Sequence, residues 1–162
     1  MNYTDKPCIF LDIDGVLALP KQYYSKKTNV FGVYNFDKKC VDVLNQIIDV
    51  VQPYIILSSD WKLHYDFDTM NNILSYNGIK LPIVAVTPSL WGSQFTSLSQ
   101  LDECRASEII KFVNKHGISN YVAIDDLRLH DYLDENHFVH CSQTYEGIKQ
   151  TNIKEKIINK LK

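Results

Sequence analysis

Two carboxylates one residue apart, Asp12 and Asp14, with Gly15 directly after them, close an apolar run that begins at Cys8. Side chains alternate along a strand, so an Asp-x-Asp pair emerges together where the strand gives way to a turn. Such a pair can face a hard cation, and one member can attack an electrophile held beside it. Small polar or acidic residues recur at matching places further on. Ser58 and Ser59 follow Tyr54-Ile55-Ile56-Leu57, and Asp125-Asp126 follow Tyr121-Val122-Ala123-Ile124. Asp-x-Asp-Gly also opens a calcium loop, but that loop ends in a Glu where this chain has Tyr23, and it needs a further Asp or Asn before its glycine. A surface turn with two solvated acids is the remaining alternative at this point.

The elements that must position these residues follow from periodicity. Residues 8–11, 54–57, 83–86 and 121–124 are short, wholly apolar runs, the pattern of strands buried on both faces, and residues 138–141 form a short fifth strand. Asp37 is the expected N-cap of a first helix in which Val41, Leu44, Ile47, Ile48 and Val51 recur at helical spacing before Pro53 stops it. A second helix is expected over about residues 68–76, closed by Asn77-Gly78. A third runs from Glu103 to His116-Gly117, and a last one starts near Thr151 or Asn152. Strands alternating with helices predict an α/β fold: an open, mostly parallel sheet with helices on both faces. In such a sheet Asp12, Asp14, Ser58 and Asp125 all leave at one edge and share a crevice.

The chain has 162 residues, 45% hydrophobic and 22% charged, the profile of a globular domain rather than a disordered one, and is read as one domain over residues 1–162. It shows neither a signal peptide nor an apolar run long enough to span a bilayer, so a cytoplasmic location and no membrane partner are expected. The formal charge of -2 excludes a surface that is basic all over. Cys8, Cys40, Cys104 and Cys141 lack metal-site spacing and read as small buried residues. Residues 17–36 are expected to form a short hairpin or flap beside the acidic pair. Lys21, Lys26 and Lys27 interleave there with Tyr23, Tyr24, Phe31 and Tyr34, so the segment is either a solvated loop or a substrate-facing flap. Residues 89–102 read as a long loop, and Trp61 as packing.

Taken together, Phe10-Leu11-Asp12-Ile13-Asp14-Gly15-Val16, Ile56-Leu57-Ser58-Ser59, Arg105 and Ala123-Ile124-Asp125-Asp126 resemble, in order, the four motifs of the haloacid dehalogenase (HAD) superfamily of phosphohydrolases. The chain is similar more narrowly to the small capless HAD domain of Swiss Army Knife RNA-repair proteins, through Ser58-Ser59-Asp60-Trp61-Lys62, the Val86-Thr87-Pro88 turn and Arg105 leading into Ser107-Glu108. The resemblance implies a Rossmann-like fold without a large cap domain. It also implies Mg²⁺ as cofactor and a phosphorylated substrate, with nucleic-acid ends or nucleotides suggested by analogy.

Carried over residue by residue, the resemblance makes Asp12 the nucleophile that becomes an aspartyl-phosphate, and Asp14 the acid and base that serves the leaving oxygen and then water. Ser58, or Ser59 in its place, donates to a phosphoryl oxygen, and Arg105 neutralises phosphoryl charge where the family more often has lysine. Asp12, the Asp14 carbonyl, Asp125 and Asp126 form the metal shell, with Asp125 the expected direct ligand. Lys26 and Lys27 are the expected substrate contacts. A receiver-type signalling domain would place its adjacent acids after the first strand, whereas here they follow the fourth. A small-metabolite phosphatase and a catalytically silent binding module stay open as alternatives, as does a protein partner that lends a lid.

Overall fold

The computed structural model describes residues 1–162. Its strands are β1 (Cys8–Leu11), β2 (Tyr54–Leu57), β3 (Ile83–Val86), β4 (Tyr121–Asp125) and β5 (Phe138–His140), and they pair in the order β3-β2-β1-β4-β5. Every pairing is parallel. β1 is central, with Leu11 opposite Leu57 on one side and Ile124 on the other. Leu11, Leu57 and Ile124 therefore stand level, and Asp12, Ser58 and Asp125 follow them at the same height.

Alternation along the strands sorts the core into two clusters. Ile9 and Leu11 join Ile55, Leu57, Val122 and Ile124 in a cluster of 30 residues under α2 (Lys38–Val51), α3 (Phe67–Tyr76) and α5 (Ile153–Leu161). Cys8 and Phe10 join Ile56 and Ala123 on the opposite face in a cluster of 14, covered by Ala106, Ile109, Phe112 and Val113 of α4 (Leu101–His116). The helices thus cover both faces, as their apolar periodicity requires. Asp37 caps α2, accepting from the Lys39 and Cys40 N–H groups, and Gln52 ends it in the left-handed region just before Pro53. Asp66 caps α3, which therefore starts a residue before its expected Asp68. All four cysteines are free and buried. No helix is long and apolar enough to cross a membrane.

Two expectations need correction. Residues 17–36 form no hairpin: Pro20 at the first helical position starts a single-turn helix, α1 (Pro20–Tyr23), and the Gln22 side chain accepts from the Leu19 N–H to close it. Val30 is exposed and Val33 buried, and the chain around them turns at Asn29 and Gly32 instead of finding a strand partner. The loop of residues 89–102 is shorter than expected, because a 3₁₀ turn over Leu98–Gln100 leads straight into α4 at Leu101. Neither segment builds a cap domain over the sheet edge.

Candidate active site

β1 delivers Asp12 to the C-terminal edge, where its N–H still donates to the Ile124 carbonyl at 3.1 Å. β4 delivers Asp125 beside it, and α4 presents Arg105 to both from below the edge. The Arg105 Nη1 atom lies 3.2 Å from Asp12 Oδ1 and donates to Asp125 Oδ2 at 2.8 Å and to the Ser58 carbonyl at 2.7 Å. Its Nη2 donates to Asp60 Oδ1 at 3.0 Å. The guanidinium, only 5% exposed, ties together the ends of β1, β2 and β4.

Asp126 is packed on Gly15. A Cβ at Gly15 would collide with the Asp126 carboxylate, and Gly15 also holds φ at +76°, so residue 15 must lack a side chain for both reasons. Asp12, Asp125 and Asp126 each offer an oxygen within 4.8 Å of the other two. The Asp125 oxygens are already engaged, one by Arg105 and one by the Leu127 N–H at 3.0 Å. Asp126 instead lines the cleft, together with Asp12, Asp14, Ser59, Asp60 and Arg105.

Charge in this cleft is unbalanced. Burial first, and the Asp125 charge second, push the Asp12 carboxyl up, with Arg105 and a hydrogen bond from Ser59 opposing. Burial also raises Asp125 against the pull of Arg105. Asp126 is raised to about 6 by burial and by Asp12. Burial opposes the charge of Arg105, yet Asp125, Asp12 and Asp60 outweigh it and keep the guanidinium protonated. One cation among these acids leaves a surplus of negative charge on hard oxygen donors, which is the composition that fits a divalent ion such as Mg²⁺.

Asp14 lines the same cleft but stands outside the acidic triad. Its Oδ1 accepts from the Tyr34 hydroxyl at 2.5 Å and its Oδ2 from the Trp61 indole N–H at 2.9 Å. Ser58 has a buried hydroxyl with no hydrogen-bond partner, while Ser59 reaches the cleft wall. An unpaired buried hydroxyl is costly, so a phosphoryl oxygen or water arriving at Ser58 would relieve it. Lys26 and Lys27 are exposed on the loop after α1, form no ion pair and do not line the cleft. Lys21 pairs with Asp37 at 3.1 Å.

Sequence reasoning gave Asp60, Lys62 and Glu108 no role of their own and placed Tyr34 only among the flap aromatics; Trp61 does pack in the core, as expected, but its indole N–H also serves Asp14. Lys62 is buried and donates to Glu108 at 2.5 Å, Thr87 Oγ1 at 2.9 Å and the Pro88 carbonyl at 3.1 Å. The available signal was the polar and aromatic run Asp60-Trp61-Lys62 directly after the serines. Size alone would also have misled: a much larger cavity, about 600 Å³, lies along β5 with His130 and Lys156 in its lining and contains none of the motif residues. The acidic cleft holds about 140 Å³, and its charge rather than its volume identifies it.

A family model described as the HAD domain in Swiss Army Knife RNA repair proteins matches residues 8–153. No curated protein and no solved structure matches the chain.

Proposed function

Because the chain belongs to the family of HAD domains in Swiss Army Knife RNA repair proteins, we propose that it is a Mg²⁺-dependent phosphohydrolase acting through an aspartyl-phosphate on phosphorylated nucleic-acid ends or nucleotides. The observation that carries this reading is the meeting of buried Asp12 with Asp125, Asp126 and Arg105 in a phosphoryl-sized cleft. Hydrolase activity, mostly on phosphate esters, is general in the superfamily. The metal, the aspartyl-phosphate and the nucleic-acid substrate class extend that general activity to this chain by resemblance.

Asp12 and Asp126 would hold the ion from the cleft side, with Asp125 completing the acidic wall behind them. The ion, when bound, screens the repulsion between a carboxylate nucleophile and an anionic ester. An Asp12 oxygen then attacks phosphorus, the bond to the leaving oxygen breaks, and Asp14 supplies the proton that leaving oxygen needs. A water molecule next attacks the phosphoryl group on Asp12, gives its proton to Asp14, and inorganic phosphate leaves with both groups restored. Ser58 or Ser59 donates to a phosphoryl oxygen through the loose transition state. Arg105 keeps Asp12 and Asp125 in place while adding positive charge beside the phosphoryl group.

The test is turnover of an aryl phosphate with and without Mg²⁺, followed by a 3′-phosphorylated oligonucleotide, a 5′-phosphorylated one and free nucleotides side by side. Hydrolysis that survives excess chelator would remove the metal from the mechanism. Equal neglect of all three nucleic-acid substrates would leave a small-metabolite phosphatase.

A further inference from the structure

The cleft over Asp12 adjoins a larger groove, with Asp14 and Asp60 lining both. The groove holds about 330 Å³ against about 140 Å³ for the cleft, so whatever is attached to a phosphoryl group in the cleft has room there. Trp61, which is only 6% exposed, lines it together with the half-buried Tyr34 and Tyr65. Ring centroids are 5.5 Å apart for Tyr34 and Trp61, and 5.5 Å for Trp61 and Tyr65. The Tyr34 wall belongs to the segment that follows β1, and Thr28 of the same segment supplies a hydroxyl at the rim. No lysine or arginine lines the groove; His64 is its one basic side chain against two carboxylates, which disfavours a second phosphate inside it.

Asp14 decides which part of the substrate faces this way. A group that protonates the leaving oxygen must touch it, so the remainder of the leaving alcohol lies beyond Asp14, on the groove side. A second pocket, of about 280 Å³, is lined by Trp91 and Leu98 and borders Arg105, but Asp14 is not part of it. Both pockets offer apolar surface; only one adjoins the residue that serves the leaving group.

We propose that the groove between Tyr34, Trp61 and Tyr65 binds a planar, uncharged aromatic ring carried on the leaving alcohol, the chemistry that a nucleoside presents. This rests on the reading of Asp14 as the acid for the leaving oxygen. Stacking on these rings selects esters of aromatic alcohols over aliphatic ones.

Benzyl phosphate and ethyl phosphate share an alkoxide-type leaving oxygen and differ in the ring, so their ratio of kcat/KM reads the groove. The wild-type protein should favour benzyl phosphate about tenfold, chiefly through KM. Tyr65→Ala should collapse that ratio, and Trp91→Ala should leave it intact. A wild-type ratio near one, or a ratio lost in Trp91→Ala but kept in Tyr65→Ala, overturns the proposal while the hydrolase stands. Binding without turnover gives a second readout: in Trp91→Phe protein, where Trp61 is the one remaining tryptophan, benzylphosphonate should quench the emission saturably and methylphosphonate should not. If no ester is hydrolysed the hydrolase reading falls, and the quench alone then upholds or overturns the groove.

Discussion

Asp12, Asp125 and Asp126 repel one another across less than 4.8 Å, and Arg105 alone does not neutralise them. The Asp126 carboxyl is raised to about 6. Its contribution to stability is therefore full below the ordinary carboxylate range and is lost as pH rises through about 6. Asp12 and Asp125 are shifted the same way and add to the loss. Metal-free protein should melt at a lower temperature at pH 8 than at pH 5, and Mg²⁺ should raise the melting temperature more at pH 8, where protons no longer compete for its oxygens. Calorimetry at both pH values checks this, and a Mg²⁺ increment equal at the two would remove the acids as its site. Asp12→Asn takes away one of the mutually repelling charges as well as the nucleophile. It should abolish turnover of an aryl phosphate yet melt no lower than wild type at pH 8 without metal, and retained turnover would show that another group attacks phosphorus. These acids were legible in the sequence because each stands at or directly after the end of a strand, whereas Arg105 was legible only through the family resemblance, since a lone arginine on a helix looks like a surface residue. The hydrogen bonds of Tyr34 and Trp61 to Asp14 were not legible, because they come from 20 and 47 residues away and nothing local in the sequence shows them.

What holds Arg105 in register is the way α4 is fastened to the edge of the sheet. Lys62, one turn beyond β2, is fully satisfied by Glu108, Thr87 and Pro88, while Glu108 also accepts from the Leu90 N–H at 2.8 Å. This buried strut joins α4 to the turns after β2 and β3. Glu108→Ala would leave the lysine buried without its partner and should cost about 3–5 kcal/mol in urea unfolding, whereas a Lys62→Met/Glu108→Leu double variant should recover most of it. A Glu108→Ala variant as stable as wild type would mean that the strut contributes nothing. On the other face, Asp37 caps α2 and meets Lys21 and Lys149. Burial works against its charge, but Lys21, the Cys40 N–H and Lys149 prevail and lower its carboxyl to about 2. A lowered carboxyl stabilises above its ordinary range and loses that contribution as pH falls through about 2. Asp37→Ala should thus cost about 1–2 kcal/mol at neutral pH, and the gap should narrow in acid; a constant gap down to pH 2 would assign the cap's effect to geometry rather than charge. The cap itself was readable, since Asp precedes an apolar helical period. The Lys62–Glu108 strut was not, because nothing local distinguishes a buried lysine from a solvated one.

The order β3-β2-β1-β4-β5 reverses direction between β1 and β4, and the gap this opens at the C-terminal edge is where Asp12 and Asp125 stand. The strand runs made this architecture legible, for a strand buried on both faces has little choice of residue. The segment after β1 was legible only as a departure from that pattern. Its alternation at residues 30–34 suggested a hairpin, but no neighbouring edge was free to pair with it, and Pro20 and Gly32 turned the chain instead. What the segment does is bring Tyr34 onto Asp14 and Thr28 to the groove, leaving Lys26 and Lys27 just outside, exposed and without ion pairs. A nucleic-acid strand whose terminal nucleoside filled the groove would carry its next phosphates out past these lysines. Each phosphate so neutralised adds about 0.7 to the slope of log affinity against log salt for a single strand. Lys26→Ala/Lys27→Ala should therefore raise KM for a phosphorylated oligonucleotide, flatten its salt dependence by roughly 1.4 in that slope, and leave the KM of benzyl phosphate alone. An equal effect on both substrates would mean that the segment shapes the cleft for chemistry. No effect on either would make it a solvated loop, and the strand would have to leave the groove in another direction.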